Sequence, residues 1–111
     1  MLDHQAGLDR LFQALADGTR RDMVERLVRG PASVSELAAS RSMSLQAVMQ
    51  HLRVLEACGL VRTEKVGRVR TCALQPQGLR LVEEWTTRQR TAWEGHLDRL
   101  GELLAEQPSE D

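Results

Sequence analysis

The sequence predicts a mainly α-helical fold carrying one small β-hairpin, and three observations predict it. Apolar residues recur at i, i+3, i+4 and i+7 through most of the chain. Between Leu60 and Leu74 that spacing gives way to alternation, rich in Val and Thr and with Gly67 near its middle. The length of 111 residues, 41% of them apolar, suits one soluble domain. That domain is expected over residues 1–107, with 108–111 as a disordered tail.

The elements follow in order. Leu8, Leu11, Phe12 and Leu15 hold the helical spacing and define a first amphipathic helix. Asp17 caps a second, whose apolar stripe is Met23, Val24, Leu27 and Val28; Gly30-Pro31 ends it. Ser33-Val34-Ser35-Glu36 has the spacing of a capping box, in which a hydroxyl and a carboxylate each accept a backbone N–H that the helix leaves unpaired. It opens a short third helix with Leu37 and Ala38, interrupted by SRSMS. Ser44 caps a fourth helix, Leu45 to Cys58, closed by Gly59. A hairpin of strands 60–65 and 69–74 turns at Val66-Gly67-Arg68. It must pack on the helices, since a lone hairpin is marginal in water. A long fifth helix restarts at Pro76 and reaches Glu106, with Gly95 and Gly101 favouring a bend over 95–101.

Charge and patterning point to a partner. The net charge is −1, but residues 41–70 hold six basic side chains (Arg41, Arg53, Arg62, Lys65, Arg68, Arg70) against Glu56 and Glu64. A basic middle inside an acidic frame suits a polyanion. The fourth helix has a core side of Val48, Leu52 and Leu55, while Gln46, Gln50, Arg53 and Ala57 fall opposite. That second side lacks the usual Glu and Lys of a solvated face. Short helix, tight turn, longer helix and hairpin form the winged helix-turn-helix arrangement, in which the second helix of the motif reads base edges in the major groove. Gln bonds adenine bidentately, Arg bonds guanine, and Ala allows close approach. The DNA-reading residues are therefore expected to be Ser42, Ser44, Gln46, Ala47, Gln50, His51 and Arg53, with Arg62, Lys65, Arg68 and Arg70 of the hairpin reaching phosphate or minor groove.

LADGTRRDMVERL and SLQAVMQHLRVLEACGLV resemble the two signature blocks of the ArsR/SmtB family of bacterial winged-helix transcriptional regulators. HLRVL is the most specific part, and the resemblance spans about residues 8–104. Gly18 stands where the family commonly has proline, and Met49 where serine is commonest. Met49 has two open readings: contact with a thymine methyl, or filling a gap in the core. His51 likewise either touches phosphate or packs at the rim of its helix. The resemblance implies a homodimer that represses promoters by occupying palindromic operators, with an inducer that releases it.

Family metal sites find little here. The arsenic and cadmium sensors carry two cysteines in the third helix, where this chain has Ser33 and Ser35. Soft metals want thiolates. Glu94-Gly95-His96 echoes half of the family's zinc site on the last helix, but no second histidine follows. No metal and no cofactor is therefore expected, and no residue names an inducer. A metal- or redox-sensing role for Cys58, Cys72 or His96, or a protein-binding winged helix, is the alternative. Cys58 and Cys72 lack C-x-x-C spacing and suit buried small hydrophobes.

The resemblance implies a dimer through the first and fifth helices. Trp85 and Trp93 lie eight residues apart, and Trp93, Leu97, Leu100 and Leu104 continue the stripe. With Leu8, Leu11 and Phe12 they are the expected interface, Trp being favoured at buried interface centres. No phosphate loop, zinc-protease motif or nucleophile motif occurs, so an enzyme is not expected. No apolar run nears the roughly 18 residues of a membrane span, and MLDHQAGLDR lacks a signal peptide's apolar region, so a cytoplasmic location is expected.

Overall fold

Helices start where a nearby side chain satisfies their first backbone N–H groups, and the same residues that mark those starts in the sequence mark them in space. The computed structural model describes residues 4–106, and the expected tail 108–111 lies outside them. The order is α1 (His4–Leu15), α2 (Gly18–Val28), β1 (Ala32–Ser33), α3 (Val34–Arg41), α4 (Leu45–Ala57), β2 (Val61–Val66), β3 (Val69–Leu74) and α5 (Pro76–Glu106). Asp17 accepts from the N–H groups of Thr19 and Arg20 at 2.8 and 3.1 Å. Ser33 and Glu36 form the full capping box at 3.0 and 2.8 Å. Ser44 Oγ accepts from Ala47 N at 3.1 Å.

One strand has no counterpart in the sequence reading. β1 pairs antiparallel with β3 (Ala32↔Cys72, Ser33↔Thr71), giving a three-stranded sheet of order β1-β3-β2 rather than a bare hairpin. Two residues are too few to show alternation. Ser33 is extended because an N-cap residue must be, and that geometry also lets it pair with β3. The hairpin turn is one residue tighter than expected. Val66 pairs with Val69, leaving Gly67 and Arg68 as a two-residue turn with Gly67 at φ 63°. A positive φ at the first turn position is the II′ requirement that glycine meets.

Residues 4–81 form one compact unit, and α5 from Val82 onward a second. In the first unit Leu11, Met23, Leu37, Val48, Leu52 and Leu55 are fully buried and join the four helices. Val61 and Cys72 bring the sheet onto them, also fully buried. The first turn of α5 is tied to the entry of β2. Gly78 N donates to Gly59 O at 3.0 Å, and Gln75 N to Leu60 O at 2.8 Å. A Cβ on Gly78 would meet Leu11 and Leu60 side chains at 3.0 Å, so glycine permits that approach. In the second unit α5 continues through Gly95 and Gly101 without interruption.

Candidate nucleic-acid interface

The turn between α3 and α4 is shaped by Ser42, which adopts the left-handed conformation at φ 53° and ψ 42°. Met43 N reaches back to Ala38 O at 3.0 Å and Ser42 N to Ala39 O at 3.4 Å, closing the end of α3 as a Schellman motif. Three residues after Ser42, α4 begins at Leu45. Its buried side is Val48, Leu52 and Leu55, as the apolar spacing requires. Gln46, Gln50, Arg53 and Ala57 are all exposed on the other side, with Ala47 and His51 half-buried at its margins. Ser42 and Ser44 are exposed beside the start of the helix. Ser44 Oγ uses a lone pair for the cap and keeps its proton for a donor role. Five of the expected polar readers, Ser42, Ser44, Gln46, Gln50 and Arg53, are therefore accessible, and no acidic residue lies between Ser42 and Arg53 in the chain.

The wing divides its cations. Strand register puts Lys65 opposite Arg70 on one face, and Arg62 opposite Ala73 on the other. Arg62 lies with Glu64, Thr71 and Pro31 in a separate hollow. It is thus set apart from Lys65 and Arg70 and has an acidic neighbour. Arg68 occupies the turn and is exposed. Arg70 is half-buried: its Nη1 donates to Thr63 Oγ1 at 3.2 Å, and Thr63 in turn donates to Glu56 Oε2 at 3.4 Å. That chain links the wing to the end of α4. Among the described residues Arg53 and Arg68 are therefore the exposed, unpaired cations that border the hollows beside α4, with Lys65 exposed farther along the wing.

Two further residues change the charge inventory. Arg41 Nε stands 2.8 Å from Asp22 Oδ2, and Nη2 donates to Asp22 O at 3.2 Å. The Nε contact is Coulombic rather than an aligned hydrogen bond, since Nε has no partner of good geometry. Either way Arg41 is paired, which removes one cation from the basic middle. His51 Nδ1 lies 3.4 Å from Arg20 Nη1. Arginine only donates, so this bond needs Nδ1 unprotonated. Arg20 also donates to Ala14 O at 2.8 Å and Gln13 O at 3.0 Å, holding the end of α1. His51 thus packs at the rim of its helix, with its other nitrogen uncommitted to Arg20.

Met49 is not in the core. It is half-buried on the flank of α4 and lines two adjoining hollows. One, about 360 Å³, lies between α4, the start of α3 and the wing, with Leu45, Val69, Arg68 and Arg70 in its wall. The other, about 340 Å³, is bounded by Leu45, Gln46, Met49, Gln50 and Arg53. Leu45, first residue of the helix and 54% exposed, escaped the sequence reading. An apolar residue flanking a core stripe gives no sequence signal of its exposure.

The expected interface residues separate into two groups. Leu8 and Leu11 are already buried within their own unit, at 6% and 0% exposure, so they back α1 rather than form a surface. The burial comes from the packing of α1 on the domain core. Phe12 is exposed and Trp85 half-buried. Trp93, Leu97, Leu100 and Leu104 are exposed along α5, joined by Leu103, which the sequence reading omitted. His96 stacks on Trp93 with ring centroids 6.3 Å apart.

No group of three metal-ligating side chains comes together among the described residues. Burial pushes both thiols up from the ordinary cysteine range. Cys72 is fully enclosed, and Cys58 donates its S–H to Leu55 O at 3.3 Å. A reactive thiolate needs the opposite shift.

Comparison with known proteins agrees with this geometry. Residues 15–64 match a family model described as a helix-turn-helix domain. The HTH-type transcriptional regulator Rv2034 of Mycobacterium tuberculosis is 43% identical over 98 residues, covering 85% of this chain and 92% of that protein. The crystal structure of an ArsR family transcriptional regulator, RHA00566, is 48% identical with a TM-score of 0.77, over 85% of this chain and 97% of that one. At 24% identity and a TM-score of 0.62, the homodimeric winged helix-turn-helix DNA-binding domain Mb0332 of Mycobacterium bovis shares the fold over 89% of this chain and 93% of its own.

Proposed function

The chain belongs to the ArsR family of winged helix-turn-helix transcriptional regulators, and from that membership we propose that it is a homodimeric repressor which occupies a palindromic operator. It is a DNA-binding regulator, not an enzyme. One observation carries the finer reading: Gln46, Gln50 and Arg53 are exposed along one hollow, and the Leu45 and Met49 that border it also border the hollow lined by the exposed Arg68 of the wing. The amides and guanidinium suit base edges, and the wing cations suit phosphate. The N-terminus of α4 adds its own positive potential toward the backbone.

The exposed stripe of α5 supports dimerisation, since a helix about 46 Å long with Trp93, Leu97, Leu100, Leu103 and Leu104 uncovered needs a partner. The related M. bovis domain is a homodimer, which favours the same assembly here. A two-fold pair also fits two half-sites about one helical turn apart. Residues 1–107 are read as one functional domain because α5 is a single helix across the boundary at residue 82. The chain's kinship with transcriptional regulators supports a cytoplasmic site of action, where bacterial DNA lies; no helix among the described residues is long and apolar enough to cross a membrane.

Fluorescence anisotropy with the chain's own upstream DNA, titrated from about 50 to 200 mM salt, tests the reading. Affinity should fall steeply, because each phosphate contact contributes a slope of about −0.9 in log K against log salt. Absent or salt-independent binding would remove it.

A further inference from the structure

We infer that Leu45 and Met49 form a methyl-reading ridge: they recognise the 5-methyl group of a thymine beside the base that Gln46 or Gln50 contacts. The inference rests on the DNA-reading role of α4 and specifies what that surface reads. Leu45 is 54% exposed at the first position of the helix, and Met49 follows one turn later, half-buried on the same flank. Neither belongs to the core side of the helix, where Val48 and Leu52 are only 0% and 1% exposed. Both border the hollow that also holds Gln46, Gln50 and Arg53. At 100° per residue the side chains run Leu45, Met49, Arg53, Gln46, Gln50 over about 140° of the helix. The surface therefore passes from apolar to cationic to amide.

A single exposed leucine means nothing by itself. Here two apolar side chains are built into the N-terminal turns of a reading helix, the part that meets base edges. In the major groove only thymine offers an apolar group, its C5 methyl, and it pairs with the adenine that a glutamine amide reads. The ridge is dry and the amides wet, so the pattern fits an A·T-containing step. It fits a G·C-only step poorly, because cytosine presents an amino donor for which Leu45 has no acceptor and Met49 only a weak thioether one.

Duplexes selected by the protein from a random library supply the probe. Each thymine of the selected half-site is replaced in turn by deoxyuridine, which differs only by the methyl group. At one thymine per half-site the wild-type protein should lose about four-fold in affinity, the factor for one buried methyl at about 0.8 kcal/mol. Leu45→Ala and Met49→Ala together should bind the thymine and deoxyuridine duplexes equally. Two results overturn the inference: wild-type affinity indifferent to every deoxyuridine, or a double variant that still prefers thymine. The wild-type arm needs no variant to fold. Failure to enrich any duplex at low salt would instead sink the DNA-reading role itself, and this inference with it.

Discussion

At the scale of single residues, function depends on which polar groups remain free. Gln50 is exposed and uncommitted on the reading face, and Arg68 is exposed in the wing turn. Gln50→Ala should weaken specific binding by about ten-fold per half-site, the lower part of the 1–3 kcal/mol range for a bidentate base contact, while nonspecific binding changes little. Arg68→Ala should weaken both alike and reduce the salt slope by about 0.9 per subunit. Competition titrations with unrelated DNA separate the two, and a uniform loss for Gln50→Ala would show that it does not read bases. Ser42 poses a different question, because its backbone sits in the region where L-residues are strained. Ser42→Gly should raise unfolding stability by roughly 0.5–1 kcal/mol, measured by urea denaturation. If DNA affinity drops while stability rises, the hydroxyl itself touches the operator.

Elements are held by caps that titrate. Asp17 lies below the ordinary carboxylate range, chiefly because the Arg20 backbone N–H bonds its ionised form. Glu36 is lowered in the same way, chiefly by the Ser33 backbone N–H. A carboxylate lowered on folding contributes stability above its unfolded pKa and loses it as pH falls through the folded one. The melting temperature should therefore decline below about pH 4, where both caps protonate. Asp17→Asn keeps an acceptor at the cap but no titration. Its melting temperature, followed by circular dichroism from pH 6 to pH 3, should fall less steeply than that of the wild type; parallel curves would exclude Asp17 from the acid response. These caps were legible in the sequence because every partner lies within three residues. β1 was not, because its pairing to β3 joins residues 40 positions apart (Ala32 and Cys72) and leaves no local pattern.

For the whole molecule, the apolar face of α5 decides the assembly proposed. Leu100→Asp places a charge in the middle of the exposed stripe, where it opposes burial against a second copy. Sedimentation should show a shift toward monomer, and operator affinity should fall by more than ten-fold, because a monomer engages one half-site. An unchanged dimer would move the interface elsewhere. The same side chain is exposed in the single chain, so folding should be little affected. Leu8 and Leu11 illustrate the limit of reading such a face from periodicity. Helical spacing shows that they share a side of α1, but not whether that side meets the chain's own core or another copy.

By itself the sequence determined the helix starts and stops, the hairpin, the core side of α4 and the polar side opposite it. Those features follow from backbone geometry, capping and periodicity, which act within a turn or two. Tertiary structure alone decided which cations stay free. Arg41 is taken by Asp22, 19 residues away, and Arg70 by Thr63 across the hairpin, while Arg62 is turned to the far face by strand register. It also decided that Met49 sits beside Leu45 at the edge of the reading surface rather than in the core. Such outcomes depend on how separate elements pack, and a charge or a methionine looks the same in the chain whichever neighbour the fold brings to it.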